Sequence, residues 1–181
     1  GFFDIPVDHL YSSTLYSGFF SKNRISNLAV VSPDVGGIKM ARAFAKRLDA
    51  DLILIDKRRP VANLAEVMNV IGNVEGRNIL IVDDLIDTGG TFCGAAAALR
   101  ENGALDIFGA CTHPILSGNA LERIQKSAVS KVYVTDTIPI TAPAGSTDKI
   151  EVLTVSDIFG EAIRRGFSNQ SISSLFDVDK S

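Results

Sequence analysis

Two cysteines, two histidines and two methionines are all that 181 residues contain of these types. Cys93 and Cys111 sit in apolar surroundings without metal-type spacing, which excludes a disulfide scaffold and a thiolate metal cage. Reduced, buried core thiols are the expectation, and with them a cytoplasmic location. His9 has no evident partner, and His113 reads as a satisfied structural residue near a strand end. No apolar run approaches the length of a membrane span, and no secretory signal is visible. Acids exceed bases by only three, with no dense basic stripe, so nucleic acid is not an expected partner. Internal repeats and low-complexity linkers are absent. What remains is a chain 46% apolar, long enough for one domain with a proper core. It begins at Gly1 without a methionine and enters a structured-looking segment, GFFDIPVDHL, as a truncated or processed chain would.

The densest signal lies between positions 79 and 91, which read ILIVDDLIDTGGT. Four apolar residues, 79–82, suit a strand buried on both faces. Asp83 and Asp84 stand at its expected C-terminal end. Asp87, Thr88, Gly89, Gly90 and Thr91 follow, then an alanine-rich stretch that reads as a helix. Adjacent glycines let backbone N–H groups curl around an anion with no Cβ in the way. The helix behind them points its positive end at the same place. The paired acids would repel a phosphate, so they suit a sugar's hydroxyl donors or a divalent cation. Helix capping requires only Asp87 or Thr88, not the whole set. The run predicts a site for a phosphorylated sugar.

Strand-like and helix-like stretches alternate along the rest of the chain. Strands are expected at 28–32, 51–55, 67–71, 107–111, 131–135 and 150–155. Helical apolar spacing occurs at Ile38, Ala41, Ala45 and Leu48, at Phe92, Ala95, Ala96 and Leu99, at Ala120, Leu121 and Ile124, and over 158–163. This alternation predicts an α/β fold, a mostly parallel sheet flanked by helices on both faces. Residues 1–167 form the expected domain and the Ser-rich stretch 168–181 a loop-like tail. Ligands then sit outside the carboxyl ends of the strands.

Two further loops leave that edge. The first strand runs into Ser32-Pro33-Asp34-Val35-Gly36-Gly37, a second glycine turn at a helix start and hence a second anion site. Asp34 belongs there if magnesium bridges carboxylate and phosphate oxygens. The alternative is a turn in which Asp34 caps the helix. The second strand is followed by Asp56-Lys57-Arg58-Arg59-Pro60-Val61-Ala62-Asn63, which reads as a mobile cationic loop. Runs like this are ordinarily solvated surface. On the same edge as two phosphate cradles, this one would close over a phosphoryl group in transit.

The signature run resembles the ribose-phosphate loop of the type I phosphoribosyltransferase fold. The whole chain, through GFFDIPVDHL, SPDVGG, the KRRPxxN loop, EVMNVIG, DDLIDTGGT, THPILSG, TDTIP and SISSLF, resembles the C-terminal half of the ribose-phosphate diphosphokinases. That resemblance implies transfer of the β,γ-diphosphoryl group of ATP to ribose 5-phosphate, with Mg2+. It implies Lys57 and Arg59 as the cations on the moving group, and Asp34 as metal ligand. Gly36 and Gly37 would sit on the diphosphate, and Asp83, Asp84, Asp87, Thr88, Gly89, Gly90 and Thr91 on ribose 5-phosphate. Asp8 resembles a residue near the ATP adenine. Ser171-Ile172-Ser173 resembles part of an ADP or phosphate regulatory site at a subunit interface of a homo-oligomer. The family carries a second, N-terminal domain that supplies much of the ATP site, so poor turnover is expected of this chain alone. Two other readings compete. A purine or pyrimidine phosphoribosyltransferase would need a base-binding hood, and no segment reads as one. A non-catalytic regulatory relative would lack the cations at 57 and 59, which are present.

Overall fold

The computed structural model describes residues 3–58, 67–141 and 148–176. Seven strands form one sheet in the order β3-β2-β1-β4-β5-β6-β7. They are β1 (Leu28–Ser32), β2 (Asp51–Arg58), β3 (Val67–Ile71), β4 (Asn78–Ile86), β5 (Ile107–Pro114), β6 (Lys131–Thr135) and β7 (Ile150–Leu153). Every neighbouring pair is parallel except β2 with β3. The expected mostly parallel sheet is therefore present.

Strict alternation along the central strands divides two cores. Ala29 and Val31, Ile53 and Ile55, Ile79 and Ile81, and Val132 and Val134 face one side. Helix α3 (Gly90–Glu101) and α4 (Ala120–Lys126) cover it through Phe92, Ala95, Ala96, Leu99 and Ile124. Val30, Leu80, Val82 and Ala110 face the other side, under α1 (Ser13–Lys22) and α2 (Ile38–Leu48). Burial on both faces is why these strands read as unbroken apolar runs rather than alternating ones. Both cysteines are free and buried, as expected. Helix α5 (Ser156–Phe167) and the short α6 (Ser173–Phe176) complete the chain.

Four elements depart from the sequence reading. Helix α1 has no counterpart in it. Its buried residues are Tyr16 and Phe20, one turn apart, and the Tyr16 hydroxyl donates to the carbonyl of Cys111 at 2.6 Å. Tertiary contacts make this helix in spite of its serines, threonine and glycine. The acid pair does not stand beyond its strand: β4 continues to Ile86, because Asp83, Leu85 and Ile86 keep pairing with Cys111, His113 and Pro114. Nor do Asp56, Lys57 and Arg58 belong to a loop. They extend β2, held by the antiparallel ladder to Asn69, Met68 and Val67. Arg59 lies outside the described residues. Finally, α6 falls within the stretch read as a loop-like tail.

Candidate functional site

The chain leaves β1 toward β2 and β3 at one side of the sheet, then returns to β4 and proceeds through β5, β6 and β7 at the other. Strand order thus reverses between β1 and β4, and crevices of this kind are where open α/β sheets bind ligands. Val31 pairs with Ile81 across this point, so the chain ends carrying Asp34 and Asp83-Asp84 emerge side by side.

The electrostatics express that juxtaposition. The Asp83 carboxyl is pushed up to about 7. Loss of water on burial is the largest cause, followed by the negative charges of Asp84 and Asp34. One Asp83 oxygen accepts the Asp84 backbone N–H at 2.9 Å, which offsets part of this. Crowded carboxylates at a sheet edge are groups whose repulsion is relieved by hydroxyl donors or a cation. The donor set is all oxygen, which suits magnesium. Among the described residues no three His, Cys, Asp or Glu side chains form a metal cage. A cation here would therefore complete its shell with substrate phosphate and water, as magnesium commonly does.

The plainer sequence reading has Asp34 cap the helix, but the N-cap of α2 is Gly37, without a side-chain cap hydrogen bond, and Asp34 instead ties the turn before it. Its Oδ1 accepts the Gly37 N–H at 3.0 Å as α2 begins, and the buried Ser32 hydroxyl donates to the Asp34 carbonyl at 2.6 Å. A Cβ on Gly37 would lie 2.6 Å from Ser32 Oγ, so this turn closes only around glycine. This turn bond engages one carboxylate oxygen, and Asp34 still contributes charge at Asp83.

Beyond β4 the chain turns through Asp87, Thr88 and Gly89 into α3. Gly89 is in the left-handed region, φ 71°, at the helix N-cap. N-terminal amides and a helix dipole at such a turn are what an anion site is built from. Lys57, near the end of β2, meets the start of α3: its Nζ donates to Thr91 Oγ1 at 3.3 Å. The structure thus brings Asp34, Asp83, Asp84, Lys57 and the Asp87–Thr91 turn to one edge. Asp8 is exposed, four residues before Ser12, whose hydroxyl meets that of Thr112 at 2.6 Å near the end of β5. The segment bearing Asp8 therefore departs from the same edge.

Two residues backing the turn carried no legible sequence signal for this role. Ser117 donates its hydroxyl to the Asp87 carboxylate and its N–H to the Asp87 carbonyl. Arg123 on α4 donates to the Thr88 carbonyl. His113, read as structural, shares a hydrogen bond with Thr137 Oγ1 at 3.0 Å.

Known proteins resemble this chain in sequence and in structure. Residues 56–177 match the phosphoribosyl synthetase-associated domain family. A ribose-phosphate pyrophosphokinase of Bordetella pertussis is 52% identical over 176 residues, covering 97% of this chain and 57% of the relative. One from Chlorobaculum tepidum is 54% identical over 178 residues, covering 98% and 54%. The crystal structure of phosphoribosylpyrophosphate synthetase from Mycobacterium smegmatis superposes with a TM-score of 0.83 at 36% identity, over 93% of this chain and 54% of that one. A purine phosphoribosyltransferase from Pyrococcus horikoshii, at TM-score 0.51 and 16% identity, shares the fold. The chain spans about half the length of the curated relatives it matches. With a family match over more than half its residues, the chain belongs to the phosphoribosyl synthetase-associated domain family.

Proposed function

We propose that this chain binds ribose 5-phosphate and forms part of a ribose-phosphate pyrophosphokinase. The reaction moves the β,γ-diphosphoryl group of ATP to the 1-hydroxyl of the sugar, giving 5-phosphoribosyl diphosphate and AMP. One observation carries the reading. Among the described strands, at the point where their order reverses, a helix-start anion cradle, a pair of crowded carboxylates and the Lys57 ammonium converge. A bare phosphate site has no use for the acids, and a bare sugar site has none for the cradle.

In this reading Asp87, Thr88, Gly89, Gly90 and Thr91 take the 5-phosphate. Asp83 and Asp84 accept hydrogen bonds from the ribose hydroxyls, which also relieves their mutual repulsion. Gly36 and Gly37 cradle the diphosphate, and Asp34 is the magnesium ligand. Bound magnesium would neutralise phosphate oxygens as the diphosphoryl group is transferred. Lys57, with Arg59, stabilises charge on the same group. The anomeric oxygen attacks the β-phosphorus and loses its proton, while the bond from the β-phosphorus to the bridging α-oxygen breaks. Asp8 lies toward the adenine of ATP, and much of the remaining nucleotide site belongs to protein outside this chain. Residues 1–167 make the catalytic-fold domain. Ser171 and Ser173 in the tail 168–181 contribute to an ADP- or phosphate-binding regulatory site of a cytoplasmic homo-oligomer.

Calorimetric titration of ribose 5-phosphate into this chain, with and without magnesium, tests the reading. Saturable binding that Asp83→Ala removes is expected. A folded chain that takes up no ribose 5-phosphate, or an Asp83→Ala variant that binds as well as the parent, refutes it.

A further inference from the structure

The geometry points to Arg123 and Ser117, both outside the residues proposed to touch substrate, as the positioning residues that aim the anion cradle. The inference rests on the ribose 5-phosphate reading and extends it to the support behind the site.

An anion cradle works only if successive amides point inward. In a trans peptide the C=O and the following N–H point in opposite directions, so fixing a carbonyl fixes the next amide. The turn after β4 has three consecutive carbonyls fixed on its outer side. Asp87 C=O accepts the Ser117 N–H at 3.1 Å. Thr88 C=O accepts from the Arg123 guanidinium. Gly89 C=O accepts the Cys93 N–H at 2.9 Å, the first bond of α3. The N–H groups of Thr88, Gly89 and Gly90 are thereby turned the other way, and none of the three finds an acceptor among the described residues. Three such amides in a row form an anion-binding concavity.

Of the three ties, the Gly89 one is ordinary helix. The other two come from one neighbouring unit: the loop after β5 and helix α4. That loop is itself shaped for the task. Leu116 at φ 52° and Gly118 at φ 56° bracket Ser117, and Leu116 N–H donates to Ile86 C=O at 3.0 Å. The Ser117 hydroxyl also holds the Asp87 carboxylate to the loop side, where its charge opposes phosphate entry least. Arg123 lies close behind the cradle: a Cβ on Gly90 would sit 3.5 Å from its Nη1. A fixed cation there both orients the Thr88–Gly89 peptide and adds favourable potential for an anion.

The test is NMR titration of the isotope-labelled 181-residue chain with ribose 5-phosphate and, separately, inorganic phosphate. In the parent chain the Thr88, Gly89 and Gly90 amides shift on binding. Absence of binding by the parent refutes the ribose 5-phosphate reading itself, and this inference with it. Given parental binding, Arg123→Met is expected to weaken affinity about tenfold and to abolish the Gly89 response, with the spectrum elsewhere unchanged. Arg123→Lys, which keeps a charged donor, should recover part of both. A folded Arg123→Met chain with parental affinity and an intact Gly89 response overturns the inference. Should that variant unfold, Arg123→Gln is judged by the same two readouts. Ser117→Ala should weaken both ligands alike, because it frees Asp87 toward the phosphate, and unchanged affinity in that variant removes Ser117 from the proposal.

Discussion

Asp83→Asn should make the chain more stable and functionally empty. The Asp83 carboxyl titrates near 7 in the folded chain, against about 3.9 for an exposed aspartate. Between those values the native state holds a proton that the unfolded state has released. The unfolded state then binds fewer protons, so stability falls as pH rises through this window. Each pH unit costs about 1.36 kcal/mol, and a window of roughly three units would amount to about 4 kcal/mol. Asp83 is only half-buried and water screens part of its repulsion from Asp84 and Asp34, which reduces the figure to roughly 1–2 kcal/mol. The amide carries no charge and should recover that amount at pH 8, raising Tm by roughly 2–8 °C for a domain of this size. The gain should shrink as pH falls and be nearly gone at pH 4, where the native carboxyl is protonated and the unfolded one about half protonated. Thermal melts of parent and variant at pH 4 to 8, without divalent cations, read the difference directly. Ribose 5-phosphate binding should be lost in the same variant. A variant less stable than the parent at pH 8, or a gain that persists unchanged at pH 4, refutes the charge-crowding account of this edge.

Three other outcomes follow from the packing and the site. Gly109→Ala places a Cβ 2.4 Å from Phe92 Cζ and 3.2 Å from Val132 Cγ1, in a core where Phe92 has no room to turn. Urea unfolding should show a loss of about 1–3 kcal/mol, and a neutral result would mean that α3 can lift off β5. Tyr16→Phe removes the hydroxyl that donates to the Cys111 and Tyr133 carbonyls at 2.6 and 3.1 Å. A cost of about 1 kcal/mol in the same assay is expected, and full parental stability would show that α1 is held by its rings alone. Lys57→Ala, made in a protein that contains the rest of the catalytic assembly, should lower kcat far more than it weakens ribose 5-phosphate binding. Equal loss in both would reassign Lys57 to holding the sugar phosphate through Thr91.

How much of this was legible in the sequence depended on whether a residue's cause was local. The strands β1, β4 and β5 have both faces buried, and their apolar runs say so directly. The glycine turn at 89–90 and the acids before it are legible because only glycine adopts φ 71° without strain and only a special ligand tolerates adjacent carboxylates. Helix α1 was not legible, since Ser13, Thr14, Ser17 and Gly18 favour no helix and its stability comes from rings packed against α2 and Tyr133. The cationic end of β2 was misread as a loop because its partner strand β3, not its own composition, keeps it extended. Arg123 looked like any surface cation of a short amphipathic helix. Its meaning lies in a carbonyl 35 positions earlier in the chain, a relation that no local pattern records.

The same distinction explains where the fold can afford its functional site. The edge holding Asp34, Asp83 and Asp84 is destabilising in the absence of ligand, and the left-handed turn at Gly89 gives up backbone entropy. Both burdens sit at the end of β4, between β1 and β5, where Ile79, Leu80, Ile81 and Val82 are each fully buried. Those four side chains contribute roughly 1.5–3 kcal/mol apiece, about 6–12 kcal/mol together, against a few for the crowded charges. An edge strand such as β7, whose Val152 is 50% exposed, has no such margin. A ligand that neutralises the acids therefore acts on a rigid frame. Its binding energy goes into relieving repulsion rather than into ordering the chain, which is the condition under which crowded carboxylates favour tight binding over local unfolding.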